Sequence, residues 1–262
     1  MLKKVMIGAL IWGLFVSPGY AKDPEEKLAE TQQAVAYYLE NFSSVRDDAT
    51  LSKAYSNIER TWQDFVQLMG IGHESAPVLS VIRARAASAA KSKRLAVKAW
   101  HDALQVNVGL PPERTIEMNI EAANAAAGVK DFAAARQFFA AARAFMFVRG
   151  EGADNSRLFL RIQELNIIGE SLSWRELNDA LTDLRTYSET FPMWTLPRLE
   201  AVLAETELRL KFQPEEKEKR LELSTLQAEI ALIVDGLADQ LPPGYIARVR
   251  EINYALADNY GL

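Results

Sequence analysis

The residues of this chain that could do chemistry are few and widely spaced. It has only two histidines, His73 and His101, and no cysteine. Zinc takes its ligands mainly from His and Cys, so a zinc site lacks material here. His73, in a Gly-rich turn, is expected to be solvated, and His101 to lie at a surface or interface. A calcium loop needs Asp, Asn and Gly at close alternate spacing, and no stretch offers them. Gly-x-Ser-x-Gly, Gly-x-Gly-x-x-Gly and Gly-x4-Gly-Lys-Ser/Thr are all absent, which removes the motifs of a serine nucleophile, a dinucleotide cradle and a phosphate loop. Gly70-Ile71-Gly72 has neither a third glycine nor a preceding strand and reads as a helix stop. No metal and no cofactor is expected.

Two carboxylates stand directly before a serine, in Glu74-Ser75 and Glu170-Ser171. A carboxyl held in an apolar pocket can have its pKa raised for general-acid work. The pairing is similar to the acid of lytic transglycosylases, exported enzymes that cleave cell-wall glycan and carry Glu followed by Ser. Their Gly-Leu-Met-Gln segment has no counterpart here. Ser171 or Ser173 also stands where it would cap the next helix. Glycan cleavage through Glu74 or Glu170 is the lesser alternative, and no catalytic residue is expected.

The elements that must position any site are helices. No stretch alternates β-branched or aromatic residues with polar ones at period two, and no Asn-Gly or Asp-Gly turn occurs. Helical patterning predicts helices at 24–42, 48–69, 76–106, 112–128, 131–148, 155–169, 173–190, 195–211, 215–240 and 243–258. Gly109-Leu110-Pro111-Pro112, Gly150-Glu151-Gly152, Phe191-Pro192, Gln213-Pro214 and Pro242-Pro243-Gly244 punctuate them. Connections this short make consecutive helices antiparallel neighbours. Leu223, Leu226, Ile230, Ile233 and Leu237 form one apolar seam, expected to pack on the chain's own helices rather than in a coiled coil with a partner. Trp62, Trp100, Trp174 and Trp194 are expected in the core. With no linker visible, 22–262 is read as one helical domain.

The middle of the chain repeats. Lys130-Asp131-Phe132, then Ala135-x3-Phe139, follow Ala123 on the preceding helix. Ala87, Ala99, Ala103 and Pro111 keep the same offsets upstream, and Trp174, Leu177 and Leu181 take the places of Phe132, Ala135 and Phe139 downstream. A small residue is required where two antiparallel helices approach closely. Over 80–192 the pattern resembles tetratricopeptide-type repeats. It departs from them in three ways. The step from Ala99 to Ala135 is shorter than that from Ala135 to Leu177, the first-helix Trp and Tyr are missing, and Leu165 takes a small-residue position. The resemblance implies a right-handed stack of helical hairpins whose first helices line a groove. Glu117, Ile120, Asn124 and Ala127 share one helical face; Phe159, Ile162, Asn166 and Gly169 share the matching face one unit further on. In such a groove an Asn can satisfy an extended peptide, because its amide both donates and accepts. The competing reading is that both asparagines bond local backbone.

The start of the chain differs from the rest. Lys3 and Lys4 precede an uncharged, mostly apolar run from Val5 to Val16, then Ser17-Pro18-Gly19 and the small-x-small Gly19-Tyr20-Ala21. That order predicts a signal peptide over 1–21, cleaved after Ala21. A run this short falls well below the ~20 residues a spanning helix needs. Without cysteine the chain can carry neither a lipobox anchor nor a disulfide. The formal net charge of -5 argues against nucleic acid, which requires clustered Lys and Arg. These readings converge on a periplasmic or secreted helical-repeat adaptor, non-catalytic, engaging a protein or peptide partner through Glu117, Ile120, Asn124, Phe159, Ile162 and Asn166. No membrane insertion is expected after cleavage, and a small-ligand carrier is the principal alternative.

Overall fold

The computed structural model describes residues 26, 48–90, 93–148, 154–213, 216–237 and 240–262. The predicted leader and most of the helix expected at 24–42 lie outside them. Among the described residues the protein is all-α, with ten helices and no strand. In chain order these are α1 (Asp48–Met69), α2 (Ala76–Ala89), α3 (Lys93–Val106), α4 (Pro112–Gly128) and α5 (Phe132–Val148). There follow α6 (Asp154–Ile168), a 3-10 turn (Gly169–Ser171), α7 (Trp174–Ser188), α8 (Leu196–Phe212), α9 (Glu216–Leu237) and α10 (Pro243–Tyr260). They form two compact units, one running to Pro111 and taking in Gly128–Lys130, the other made of Pro112–Ala127 and Asp131–Leu262.

In the first unit, the helix expected over 76–106 is two helices. Arg83 meets Asp102, Ser80 meets Asn107 and Ser88 meets Trp100, so rising numbers on α2 oppose falling numbers on α3 and the pair is antiparallel. The break carries no Gly or Pro. Its surroundings, Ala86-Ala87-Ser88-Ala89-Ala90, are rich in the best helix former, so local propensity runs straight through it. Packing decides instead: Ala84, Ala87, Ala96, Ala99 and Ala103 are all fully buried, and the missing side chains permit close approach of the two helices. The repeat phase places Ala87 and Ala99 on successive helices, which the unbroken reading of 76–106 ignores. Trp62 and Phe65 of α1 pack with Ala76 and Leu79 of α2, and Val106 of α3 completes the cluster.

The second unit is organised around α8, which packs against α6, α7, α9 and α10. Its Ala201, Ala204 and Leu208 enter a core with Leu158 and Leu165 of α6 and Leu177, Leu181 and Leu184 of α7. Leu199, Val202 and Leu203 face the other way, into the α9 seam and Ile252 and Leu256 of α10. The helix is therefore apolar on two sides, as a central helix must be. All five seam residues of α9 are buried inside the unit. At the start of α7, Ser173 and Glu176 close a reciprocal capping box: each side chain accepts from the other's backbone N–H, at 3.3 and 2.8 Å.

Trp62 and Trp100 are buried, and Trp174 packs on the α6–α7–α8 core. Trp194 is the exception, 61% exposed between α7 and α8. Its indole lies against Gly236 on α9, where even a methyl group would overlap the ring. A platform without a side chain holds this tryptophan at the surface instead of in the core.

Candidate functional site

The residues expected to line a groove occupy two helices. On α4, Glu117 is exposed and accepts a hydrogen bond from Arg114 at 2.7 Å, while Ile120 is half-buried. The exposed Asn124 donates its amide N–H to the Ile120 carbonyl at 2.9 Å, which is the local bonding weighed against a peptide role. On α6, Phe159 is 43% exposed, and the exposed Asn166 lies two turns on, along the same line of the helix. Ile162 departs from the expectation. It is 4% exposed and packs with Leu158, Leu165, Leu177 and Leu181. A helix turns about 100° per residue, so Ile162 stands about 60° round from Phe159, on the shoulder of the core face. Its side chain serves packing. Among the described residues no hydrogen bond or ion pair joins the α4 set to the α6 set.

Neither carboxylate that precedes a serine sits in an apolar pocket. Glu74 is exposed, and Glu170 is exposed in the 3-10 turn. Ser171 donates to the Ile168 carbonyl at 2.7 Å and, with its hydroxyl and carbonyl oxygens, accepts from Arg136 at 3.2 Å. His73, expected to be solvated, is half-buried: its ring meets Phe65 edge-on at 5.5 Å and its Nδ1 accepts from Ser75 N–H. His101 is exposed on α3. Among the described residues no three His, Cys, Asp or Glu side chains gather as a metal site, and no helix is long and apolar enough to cross a membrane.

The strongest electrostatic features are arginines held between helices, of which Arg83, Arg198 and Arg209 are buried. In the first unit, Arg83 of α2 donates twice to Glu59 of α1, at 2.6 and 2.9 Å, and once to Asp102 of α3, at 2.8 Å. Its guanidinium also stands 5.7 Å from the Trp62 ring centre, and Tyr55 donates to Glu59 at 2.8 Å. Burial acts to raise the Glu59 carboxyl, but the hydrogen bonds from Arg83 and Tyr55 outweigh it and hold that group below the usual carboxylate range.

In the second unit the same device surrounds α8. Glu205 accepts from Arg185 of α7 at 3.0 and 2.6 Å and from Arg209 of its own helix at 2.8 Å. Arg209 also pairs with Glu222 of α9, and its guanidinium lies over Trp174. Arg198 reaches Glu229 of α9 and Ser188 of α7, each at 3.0 Å. Arg248 of α10 grips Glu207 with two bonds, at 2.6 and 2.8 Å, and Glu200 with a third at 2.7 Å. Burial, reinforced by the neighbouring Glu200 carboxylate, pushes the Tyr245 phenol up to about 12. These charges answer one another and fix helix partners. All but the Arg209–Glu205 pair join residues on different helices, so the periodicity within any one helix carries no trace of them.

A groove of about 530 Å³ opens between α9 and α10. Ser224, Gln227, Ala228, Ala231 and Asp235 form one wall, and Val249 and Asn253 the other. Fold and surface together define an all-α protein of two helical units, with buried charge tied up in holding helices and exposed apolar side chains on α6 and around α9. Compared with known proteins, the chain matches no protein-family model, no curated protein and no solved structure.

Proposed function

We propose that this chain is an exported, non-catalytic adaptor that binds a protein or peptide partner in the cell envelope. The observation that carries the reading is on α6, where an exposed phenyl ring, Phe159, and an exposed amide, Asn166, share one line about 10 Å apart. An aromatic side chain offers apolar area at low conformational cost, and an amide satisfies a backbone N–H or C=O. That pair suits an extended peptide or the face of a partner helix. The arrangement expected is a right-handed stack of hairpins resembling tetratricopeptide repeats. Its support is the antiparallel α2–α3 pair and the complete burial of Ala87, Ala99, Ala103, Ala123, Ala135 and Phe139, the positions where hairpins would cross. Export rests on the basic, apolar, small-x-small opening of the sequence.

Two experiments test this. Mass spectrometry of protein from its native host should find Lys22 at the amino terminus; an intact Met1 chain in the cytosol would contradict export. A Phe159→Ala, Asn166→Ala double variant should keep the parent melting curve, since exposed positions contribute little to stability. It should also lose its partner in a crosslinking pull-down from intact envelope. Undiminished capture by a folded double variant would move the binding surface elsewhere.

A further inference from the structure

We propose that the α9–α10 face of the second unit pairs with the same face of a second copy of this chain. The outward face of a surface helix is ordinarily polar. Here Leu221 and Leu232 of α9 are 72% and 51% exposed, Tyr254 of α10 stands well out, and the groove between the helices is floored by Ile230 and Val234. The α9 wall carries only short side chains along its middle, Ser224, Ala228 and Ala231, so another helix can come close there. Charge decides which helix. Arg220 stands near the start of α9 and Asp235 near its end; both are exposed, and neither makes an ion pair among the described residues.

If two α9 helices meet antiparallel about a two-fold axis between Gln227 and Ala228, each Arg220 lies opposite Asp235 of the second copy. Each Ser224 then lies opposite Ala231, and the smallest side chains meet at the crossing. Two ion pairs arise from one residue pair, which is the self-complementarity that an isologous interface requires. A face two helices wide and about 30 Å long offers about 600 Å² per partner, the lower end of the ~600–1,000 Å² that a standard interface buries on each side.

The test is light scattering coupled to size exclusion on the full chain, over a dilution series to the highest soluble concentration. The parent should run at twice its chain mass. Asp235→Arg and Arg220→Asp should each raise the dimer dissociation constant by about 10-fold or more, because each sets like charges opposite one another at both ends of the interface. The double exchange, Arg220→Asp with Asp235→Arg, should bring it back to within about 3-fold of the parent. Both positions are exposed, so the melting curves of all three variants should coincide with the parent's. A monomer at every concentration would overturn the proposal. So would a dimer that ignores both single exchanges, or one that the double exchange does not restore.

Discussion

In the first unit one guanidinium, that of Arg83, touches carboxylates on both neighbouring helices; in the second, Arg185, Arg198, Arg209 and Arg248 divide the carboxylates of α8 and α9 among them. The other groups bonded to Glu59, Tyr55 and Gln63, carry no charge. Glu205, by contrast, is shared by two arginines. The difference teaches how a buried charge tolerates loss. A lone tie leaves its partner desolvated and unpaired when broken, which costs far more than the tie contributes against an apolar replacement. A shared carboxylate keeps one cation. In both units the apolar seams supply the burial, and the arginines specify which helix sits beside which.

The largest effect should come from breaking that contrast directly. Arg83→Met should destabilise the first unit by about 3 kcal/mol, whereas Arg185→Met, which leaves Glu205 paired with Arg209, should cost about half as much in the second. Native-state hydrogen exchange reads the two units separately. Equal losses would mean that sharing a carboxylate gives no protection. Next in size is a packing change where no charge is involved. Ala135 of α5 is fully buried, so Ala135→Leu should cost the second unit about 1–3 kcal/mol through overpacking. A neutral result in a urea titration would show that α5 has room beside it.

The smallest effect is that of pH. The folded Glu59 carboxyl lies below its unfolded value, so its contribution is present above the unfolded pKa of about 4.3 and is lost as pH falls through that value toward the folded one. The carboxylate is only partly buried, and solvent screening reduces the effect. Melting curves between about pH 6 and 3 should show the first unit losing stability at the acid end, and Glu59→Gln should flatten that dependence. An unaltered slope in the variant would detach Glu59 from it.

Much of the helical architecture was legible because Pro and Gly mark the breaks. Gly70, Pro112 and Pro243 stand at observed helix boundaries, and Pro192 lies in the turn between α7 and α8. The break after Ala90 was illegible for the converse reason, since an alanine run without Gly or Pro favours helix throughout. Trp194 misled because its support is an absent side chain, at Gly236 on a helix far along the chain. The candidate site was legible only as a face. Helical phase put Phe159 and Asn166 on the outside, but the step from Phe159 to Ile162 carries the side chain onto the core, and phase alone does not say how wide that core is. The arginine ties were invisible, because a sequence shows charges and not which of them meet.

The partner-binding line we propose on α6 runs through Phe159 and Asn166. It is tested most directly by placing a photoreactive phenylalanine analogue at position 159, with an exposed position on α7, Asp183, as control. Irradiation of intact cells and immunoblotting would then reveal any adducts. The account predicts a discrete higher-mass adduct from position 159, abolished by Asn166→Ala, and none from position 183. No adduct from 159, or the same adducts from both positions, would contradict it.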